Sequence, residues 1–280
     1  EMYECDENDN DPQWNIAAPR HMPCRLLLDP TPVCASGLEK NQDYINASYI
    51  RMQVGAEEFF YISCQGPLPS TVLAFWQMIW ENKSDVIAMM TLEVERGRIK
   101  CHKYWPERLV ENVCLNITLN YLLFQTGETH FVRHLKFTHW PDHGVPHCSE
   151  QLVRFIRYLR ALHHKGPVTV HCSAGIGRTG VLICTDVILS LIENDLPINV
   201  SDIVKEMRLQ RHGMIQTKEQ YLFCYKVWLE VLQGILQLHG NQWQLDIHLP
   251  VKHRLCLCEY MQSKPFSVAV VNLLSLLIFS

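Results

Sequence analysis

Residues 171–180, His-Cys-Ser-Ala-Gly-Ile-Gly-Arg-Thr-Gly, are the most informative stretch of this chain. It follows the short apolar run Val168-Thr169-Val170, which predicts a buried strand. It precedes the apolar run 181–184, which predicts the start of a packed helix. A glycine-containing loop between a strand and a helix lets backbone N–H groups converge on one point, and the helix dipole adds positive potential there. The segment is therefore predicted to bind an anion.

Two side chains of this loop can carry chemistry. Cys172 should lose its proton easily, because the converging amides and Arg178 stabilise the thiolate. The planar guanidinium of Arg178 matches two oxygens of a phosphate group. The pattern predicts a site that binds a tetrahedral dianion and places a nucleophile beneath it. The alternative is that Cys172 is an ordinary buried cysteine.

Two other kinds of site fit these residues less well. A nucleotide-binding P-loop ends in Gly-Lys-Ser or Gly-Lys-Thr, and the sequence contains neither tripeptide. A zinc site needs ligands paired at short spacing, and His171-Cys172 has no second pair nearby. We therefore expect neither a metal nor another cofactor at this site.

The loop resembles the signature of the cysteine-dependent protein tyrosine phosphatases, and four further segments resemble motifs of that family, in the family's order. They are 43–48 (Asp-Tyr-Ile-Asn-Ala-Ser), similar to the strand after the phosphotyrosine-recognition loop; 95–101 with 104–106, similar to the glutamate-bearing loop and the strand beyond; 140–144 (Trp-Pro-Asp-His-Gly), similar to the mobile acid loop; and 216–221 (Gln-Thr-Lys-Glu-Gln-Tyr), similar to the glutamine loop. Together they resemble the intracellular non-receptor type rather than the smaller dual-specificity enzymes.

The resemblance implies an α/β fold, namely a single phosphatase domain with a twisted mixed β-sheet flanked by helices. The phosphate loop should lie between a strand and a helix of this domain. Segments that look like strands, among them residues 98–104, alternate along the chain with segments that look like helices, which favours the same class. Ser149 is predicted to cap one helix, and Thr217 with Gln220 is predicted to form a capping box at the start of another. We expect an irregular segment over residues 1–42, a catalytic domain over 43–238 and a C-terminal tail of unknown structure over 239–280.

The resemblance also assigns functional residues. The implied catalytic residues are Cys172, Arg178, Asp142, Gln216 and Thr179. The implied substrate-binding residues are Ser173, Ala174, Gly175, Ile176, Gly177, Arg178, Asp142, Gln216 and Gly213. The implied supporting residues are Glu95, Lys100, Trp140, Gln220 and His171. Asp142 must arrive protonated to act as the general acid; read alone, the Pro-Asp-x-Gly pattern around it would indicate a turn.

Three stretches depart from the family pattern. Residues 20–34 lack the expected Asn-Arg-Tyr motif and contain no aromatic residue except His21, so we expect weak binding of phosphotyrosine peptides. The stretch 106–140 is shorter than is usual, and 115–124 resembles the remains of a strand pair. Residues 239–280 continue past the family's usual end. Their apolar run of fourteen residues, 266–279, is short for a bilayer span, which favours a docked tail over a membrane anchor.

The composition of the chain indicates the size of its core, the partners that fit it and its compartment. A chain of 280 residues that is 48% hydrophobic can bury one large core, and its net charge of −4 argues against nucleic acid as a partner. The twelve cysteines are mostly scattered singly, and the acidic first ten residues do not resemble a secretion signal, so we expect the cytoplasm. The expected partners are phosphotyrosine-containing proteins, and the oligomeric state is left open.

The leading hypothesis is a protein-tyrosine phosphatase that hydrolyses phosphotyrosine through a cysteinyl-phosphate intermediate. The alternative is a catalytically weak or inactive phosphotyrosine-binding or scaffold protein on the same fold. A third possibility is a splice variant or a degenerate copy whose product folds poorly. The intact Cys172, Arg178, Asp142 and Gln216 favour the enzyme. The altered recognition segment and the shortened stretch favour the alternative.

Overall fold

Short apolar strands form one large mixed sheet, and amphipathic helices pack on both of its faces. The computed structural model describes residues 32–34, 44–105, 115–118, 130–141 and 144–238. The strands are β1 (Pro32–Cys34), β2 (Tyr44–Val54), β3 (Glu57–Cys64), β4 (Val86–Met89), β5 (Val94–Glu95), β6 (Arg98–Ile99), β7 (Leu115–Thr118), β8 (Phe131–Lys136) and β9 (Val168–His171). The helices are α1 (Val72–Glu81), α2 (Glu150–Leu162), α3 (Gly177–Glu193), α4 (Val200–Gln210) and α5 (Lys218–Leu238). This is the expected α/β class.

Strand order explains where the site lies. Within the described residues the large sheet runs β1-β2-β3-β9-β4-β8-β7, and β5 pairs with β6 separately. The neighbours β3, β9, β4 and β8 are mutually parallel, whereas β1, β2 and β7 pair antiparallel. The carboxyl ends of the four parallel strands therefore share one edge of the sheet, where ligands bind in open α/β folds. The phosphate loop leaves β9 at this edge.

The core has two layers, one on each face of the sheet. Along β4 the side chains alternate: Val86 and Ala88 pack with the layer under α2, α3, α4 and α5, and Ile87 and Met89 pack with the layer under α1. This alternation follows from the two-residue period of a strand. Because β4 has buried neighbours on both faces, it reads as a continuous apolar run, as central parallel strands do.

Helix α3 is the most buried helix of the described residues. Thirteen of its seventeen residues are buried, including every position from Thr179 to Ser190. Its first turn continues directly from the phosphate loop, which fixes the orientation of that loop relative to the sheet.

The boundaries of several elements differ from the sequence-based predictions. Within 1–42, expected to be irregular, 32–34 form a strand against β2. A strand was predicted over 98–104, but β6 ends at Ile99, because the N–H groups of Lys100 and Cys101 both bind the carbonyl of Glu93. The predicted remnant of a strand pair is present as β7. The rest of 1–42 and of 106–129, and all of 239–280, lie outside the described residues.

Helix caps were predicted with mixed success. The predicted capping box of α5 is present: Thr217 Oγ1 accepts a hydrogen bond from the Gln220 amide, and Gln220 Oε1 accepts one from the Thr217 amide. Ser149 precedes α2 as predicted, but its side chain makes no capping hydrogen bond, and its backbone N–H donates to Glu230.

Among the described residues, none of the helices combines the length and the apolar character that a membrane span requires.

A buried ion pair joins three elements. Arg160 of α2 donates from Nε and one terminal nitrogen to the Asp186 carboxylate of α3, at 2.6 to 2.9 Å, and donates to the Tyr61 hydroxyl of β3 at 2.7 Å. Tyr61 in turn donates to Asp186 at 2.8 Å. The Asp186 side chain is 3% exposed and that of Arg160 26%. Each polar group here has a partner, as burial requires.

Removing the negative charge should therefore destabilise the domain. We expect Asp186→Asn to lower the free energy of unfolding by about 2–4 kcal/mol, because Arg160 keeps its charge but loses its counter-ion in a mostly buried setting. The matched control is Glu150→Gln, which breaks the exposed pair with Arg154 and should cost less than about 0.5 kcal/mol. Urea unfolding of both variants measures this. Equal small effects would contradict a stabilising role for the buried pair.

Candidate active site

The phosphate loop places Cys172 at the centre of a ring of backbone groups. Its side chain is buried, at 5% exposure, and Gly175 donates its N–H to Cys172 Sγ at 3.3 Å. Gly175 has φ of +75°, and a Cβ there would come within 2.2 Å of the Cys64 carbonyl oxygen. Only glycine fits this close approach of two backbones. The conformation of the phosphate loop therefore requires glycine at position 175.

The carbonyl groups of the loop are bound from outside. The Gly175 carbonyl accepts from the Ser63 hydroxyl at 2.8 Å and from Arg211 Nε at 3.0 Å. The Ala174 carbonyl accepts from Arg211 at 3.2 Å, and the Ser173 carbonyl accepts from the Gly66 N–H at 2.9 Å. Since the N–H and C=O of a trans peptide point in opposite directions, carbonyls held outward leave N–H groups free to face the centre.

Arg211 is a site residue that the sequence reasoning missed. It lies just after α4, it is 3% exposed, and its guanidinium also binds the Asn46 and Ser48 side chains of β2 at 2.7 and 2.8 Å. The available signal was in the motif 43–48, where Asn46 and Ser48 alternate with the apolar Ile45 and Ala47. Buried polar side chains need partners, and Arg211 supplies one.

Arg178 and Glu95 form a bidentate ion pair at the mouth of the loop. The two terminal nitrogens of Arg178 donate to the two Glu95 oxygens at 2.6 and 2.8 Å. Glu95 is 5% exposed and also accepts from the Thr91 hydroxyl and the Leu92 N–H. Burial alone would raise the pKa of Glu95, but the hydrogen bonds and charge of Arg178 outweigh it, so the pKa lies below its usual value. Glu95 thus stays ionised and orients Arg178.

The described hydrogen bonds leave one edge of the Arg178 guanidinium open. One terminal nitrogen contacts Glu95, and also the Met90 carbonyl and Thr91 hydroxyl at 3.3 and 3.4 Å; the other contacts Glu95 alone. A guanidinium has five N–H donors in a fixed fork. The Nε hydrogen and the second hydrogen of the other terminal nitrogen therefore remain for two oxygens of an anion.

The acid-loop motif lies beside Arg178. Trp140 is buried, and its ring centroid is 5.7 Å from the Arg178 guanidinium carbon. Its indole N–H donates to the Gly144 carbonyl at 3.1 Å, which closes the loop on itself. Gly144 has φ of +68°, and a Cβ there would meet nothing within 4 Å. Asp142, the predicted general acid, lies outside the described residues.

The glutamine loop borders the phosphate loop on another side. A Cβ built on Gly177 would lie 2.9 Å from Gln220 Nε2 and 3.4 Å from Gln216 Oε1, so both amides approach the loop. Gln220 Oε1 accepts a hydrogen bond from the Gln216 N–H at 2.9 Å, and this bond stabilises the turn of the glutamine loop. Ile215 has φ of +59°, a strained value for a β-branched residue. Its N–H donates to the Ile176 carbonyl at 3.1 Å, which fixes that strained residue to the phosphate loop.

The next three predicted residues are Thr179, Gly213 and Lys100. Thr179 is fully buried, and its hydroxyl has no hydrogen-bond partner among the described residues. Gly213 faces Ile176 of the loop, whose Cδ1 lies 3.6 Å from an added Cβ. Lys100 adjoins the site through its backbone N–H, which binds the Glu93 carbonyl at 2.8 Å. Of the recognition segment 20–34, only residues 32–34, which form β1, lie within the described residues.

A buried chain of rings supports Cys172 from behind. His171 Nδ1 lies 3.3 Å from the Cys172 carbonyl, and its Nε2 lies 2.6 Å from the Tyr104 hydroxyl. The same hydroxyl lies 2.7 Å from His134 Nε2. If His171 donates from Nδ1, then Tyr104 donates to its Nε2 and accepts from His134, which leaves His134 Nδ1 bare. That nitrogen has no partner among the described residues, which fits this assignment.

Burial keeps both imidazoles neutral. It lowers the pKa of His171 to about 4, although the Cys172 carbonyl raises it somewhat. It lowers the pKa of His134 to about 3, and the nearby His171 and Lys136 act in the same direction. Tyr104 and His134 were not predicted as site residues, because the groups that they contact lie far away in the sequence.

These features place a buried cysteine and an arginine with one open edge together at the carboxyl edge of a mixed α/β sheet. Residues 20–230 match the family model described as protein-tyrosine phosphatase, so the chain belongs to that family. This confirms the family resemblance found from the sequence.

Curated relatives share the same catalytic segment. Tyrosine-protein phosphatase non-receptor type 13 of Homo sapiens is 53% identical over 219 residues, which cover 72% of this chain and 9% of that protein. Tyrosine-protein phosphatase non-receptor type 20 of Rattus norvegicus is 50% identical over 219 residues, which cover 72% of this chain and 52% of that protein. Non-receptor type 4 of Homo sapiens is 43% identical over 216 residues. The chain thus spans about half or less of these relatives.

Because His134 and His171 are neutral in the folded protein, we predict that the domain loses stability in acid. Their folded pKa values lie below the usual value, so their contribution is fully present above about pH 6.5 and is lost as the pH falls toward 4. We expect the melting temperature to fall over this range. The asparagine in His134→Asn can still donate a hydrogen bond to Tyr104 but cannot titrate. As the pH falls, the free energy of unfolding of this variant should therefore decline less steeply than that of the parent, and the two slopes should differ by up to about 1.4 kcal/mol per pH unit.

Thermal melts from pH 7.5 to 4.5 measure this, with His147→Asn, at an exposed position, as the matched control. The control should follow the parent. A His134→Asn profile parallel to that of the parent would show that His134 takes up no proton on unfolding.

Proposed function

We propose that this chain is a protein-tyrosine phosphatase domain that hydrolyses phosphotyrosine through a cysteinyl-phosphate intermediate. The observation that carries the proposal is the Cys172 sulfur, which accepts the Gly175 N–H at the base of a loop whose carbonyls are bound outward. A sulfur in that position can hold negative charge and attack phosphorus. The family membership and the relatives' names support the same activity.

In the first step Cys172 attacks phosphorus and the bond from phosphorus to the tyrosyl oxygen breaks. Charge on the equatorial oxygens is held by the loop amides and by the open edge of Arg178, whose other edge Glu95 holds in place. Because Glu95 fixes the guanidinium before substrate arrives, little reorganisation is needed as the charge redistributes.

Asp142 completes the first step and begins the second. As a carboxylic acid it protonates the departing tyrosyl oxygen, and as a carboxylate it then takes a proton from the attacking water. Gln216, whose amide approaches Gly177, positions that water. Phosphorus–sulfur cleavage then releases phosphate and restores the thiolate. The unpartnered Thr179 hydroxyl is available to donate to the departing sulfur.

The domain limits and the setting are proposed on the same basis. The catalytic domain spans about residues 43–238, with the tail 239–280 outside it. Its substrates are phosphotyrosine-containing proteins, and it acts in the cytoplasm, as the non-receptor designation of the relatives supports. The alternative is an inactive phosphotyrosine-binding protein, which the lack of a tyrosine within 20–34 favours.

Replacing the nucleophile tests the mechanism. We expect Cys172→Ser to abolish hydrolysis of p-nitrophenyl phosphate and to keep binding of a phosphotyrosine peptide, because a serine hydroxyl is not ionised at neutral pH while the amide ring persists. The control is Cys148→Ser, which removes an exposed thiol and should keep full activity. A parent protein that binds the peptide without hydrolysing either compound would establish the inactive alternative.

Removing the acid tests the proton transfer. Asp142→Ala should lower kcat strongly for phenyl phosphate, whose leaving oxygen needs a proton, and much less for a nitrophenyl phosphate, whose oxygen is a weaker base. Steady-state kinetics on the two compounds give the ratio, with Cys172→Ser as the zero. Equal losses on both compounds would show that Asp142 is not the general acid.

A further inference from the structure

The segment that carries Glu95 is built apart from the large sheet. We define the Glu95 segment as residues 90–101. Among the described residues its strands β5 and β6 pair only with each other. The start of the segment is held, because the Met90 N–H donates to the His171 carbonyl at 2.8 Å. Since the Glu95 carboxylate binds both terminal nitrogens of Arg178, the placement of that guanidinium depends on what holds the rest of the segment.

Lys136 reaches the Glu95 segment from the large sheet. It is the last residue of β8, where it pairs in register with Met89 of β4, and the next N–H, that of Phe137, donates to the Met89 carbonyl at 2.9 Å. The Lys136 ammonium donates to the Glu93 carboxylate and lies 5.7 Å from the centroid of the Trp105 ring. The face of an aromatic ring attracts a cation at this range. A charge carried on a fixed strand is therefore held against the Glu95 segment.

Glu93 connects this attachment to the rest of the segment. Its backbone carbonyl accepts hydrogen bonds from the N–H groups of Lys100 and Cys101, at 2.8 and 3.3 Å. It is thus bound to β8 through its side chain and to the end of the β5–β6 hairpin through its main chain. Burial alone would raise the pKa of Glu93, but the hydrogen bond and charge of Lys136 outweigh it, so the pKa lies below its usual value. The Glu93 carboxylate is therefore ionised at neutral pH, and Glu95 follows it within about 7 Å along the chain.

We propose that Lys136 is a positioning residue for the phosphatase reaction, because it fixes the segment from which Glu95 orients Arg178. The proposal rests on the phosphatase function proposed above and adds a residue that acts through Glu93 and not on the substrate. Arg178 is the group that binds the phosphate oxygens, so loss of the Lys136–Glu93 pair should weaken the binding of any tetrahedral oxyanion. The side chains of the pair are 26% and 37% exposed, so the effect should be a few-fold loss rather than a complete one.

The test measures the Kd of tungstate, a tetrahedral dianion like phosphate, by isothermal titration calorimetry. Lys136→Met removes the charge and keeps the length of the side chain, and it should raise this Kd about threefold. Glu93→Gln removes the charge of the partner and should have the same effect. The charge-swapped variant Lys136→Glu/Glu93→Lys restores an ion pair at the same place and should recover most of the parent's affinity.

The matched control is Arg51→Met, which breaks the exposed pair of Arg51 with Glu58 on β2 and β3 of the same sheet and should keep the parent's Kd. Urea unfolding of the single variants is measured alongside. A residue with only a structural role would lower the free energy of unfolding and leave the tungstate Kd of the folded protein unchanged. An unchanged Kd in Lys136→Met and Glu93→Gln, an equal rise in the control, or a charge swap that recovers nothing would overturn the proposal.

Two aryl phosphates separate this role from the alternatives. Arg178 acts on the phosphoryl group of either compound, so Lys136→Met should lower kcat/KM equally for phenyl phosphate and p-nitrophenyl phosphate. A loss confined to phenyl phosphate would overturn the proposal and assign Lys136 to the acid loop, whose Trp140 lies four residues further along the chain. A parent that hydrolyses neither compound would refute the phosphatase function, and the tungstate Kd values would still decide the role of Lys136.

Discussion

The outward attachment of the phosphate-loop carbonyls is the constraint on which the rest of the site depends. A ring of N–H groups can face an anion only if the carbonyls of the same peptides are satisfied elsewhere. Arg211, Ser63 and the Gly66 amide satisfy them, and they come from two distant parts of the chain, the end of β3 and the segment after α4. The loop therefore depends on distant parts of the fold: β3 and the segment after α4 bind it directly, and β2 holds Arg211 in place through Asn46 and Ser48.

The parallel strands explain why distant motifs meet. β3, β9, β4 and β8 end at one edge, so the segments that follow them bring Gly66, Cys172, Thr91 and Trp140 together. Glu95 reaches Arg178 because β4 ends beside β9. The Glu95–Arg178 pair then joins the loop to the two-stranded sheet of β5 and β6.

The sequence was sufficient where a function depends on residue types close together in the chain. The phosphate loop needs glycine at Gly175 and a cysteine and an arginine at fixed spacing, and the capping box needs only Thr217 and Gln220. Arg211 and His134 could not be found this way, because their partners are distant in sequence and a single polar residue leaves no periodic signal. The predicted strand 98–104 failed for a local reason: two N–H groups converge on one Glu93 carbonyl, which residue types do not reveal.

The choice between a nucleophile and an ordinary buried cysteine rests on hydrogen-bond direction rather than on burial. Cys64 and Cys101 are also buried near the loop, and burial raises the pKa of Cys64 to about 12 and raises that of Cys101 further. Their thiols donate to the carbonyls of Val170 and His102, which favours the protonated form. The Cys172 sulfur instead accepts the Gly175 N–H. Cys172 is therefore, of these three buried cysteines, the one whose sulfur is held as a hydrogen-bond acceptor, which is the orientation that a nucleophile needs.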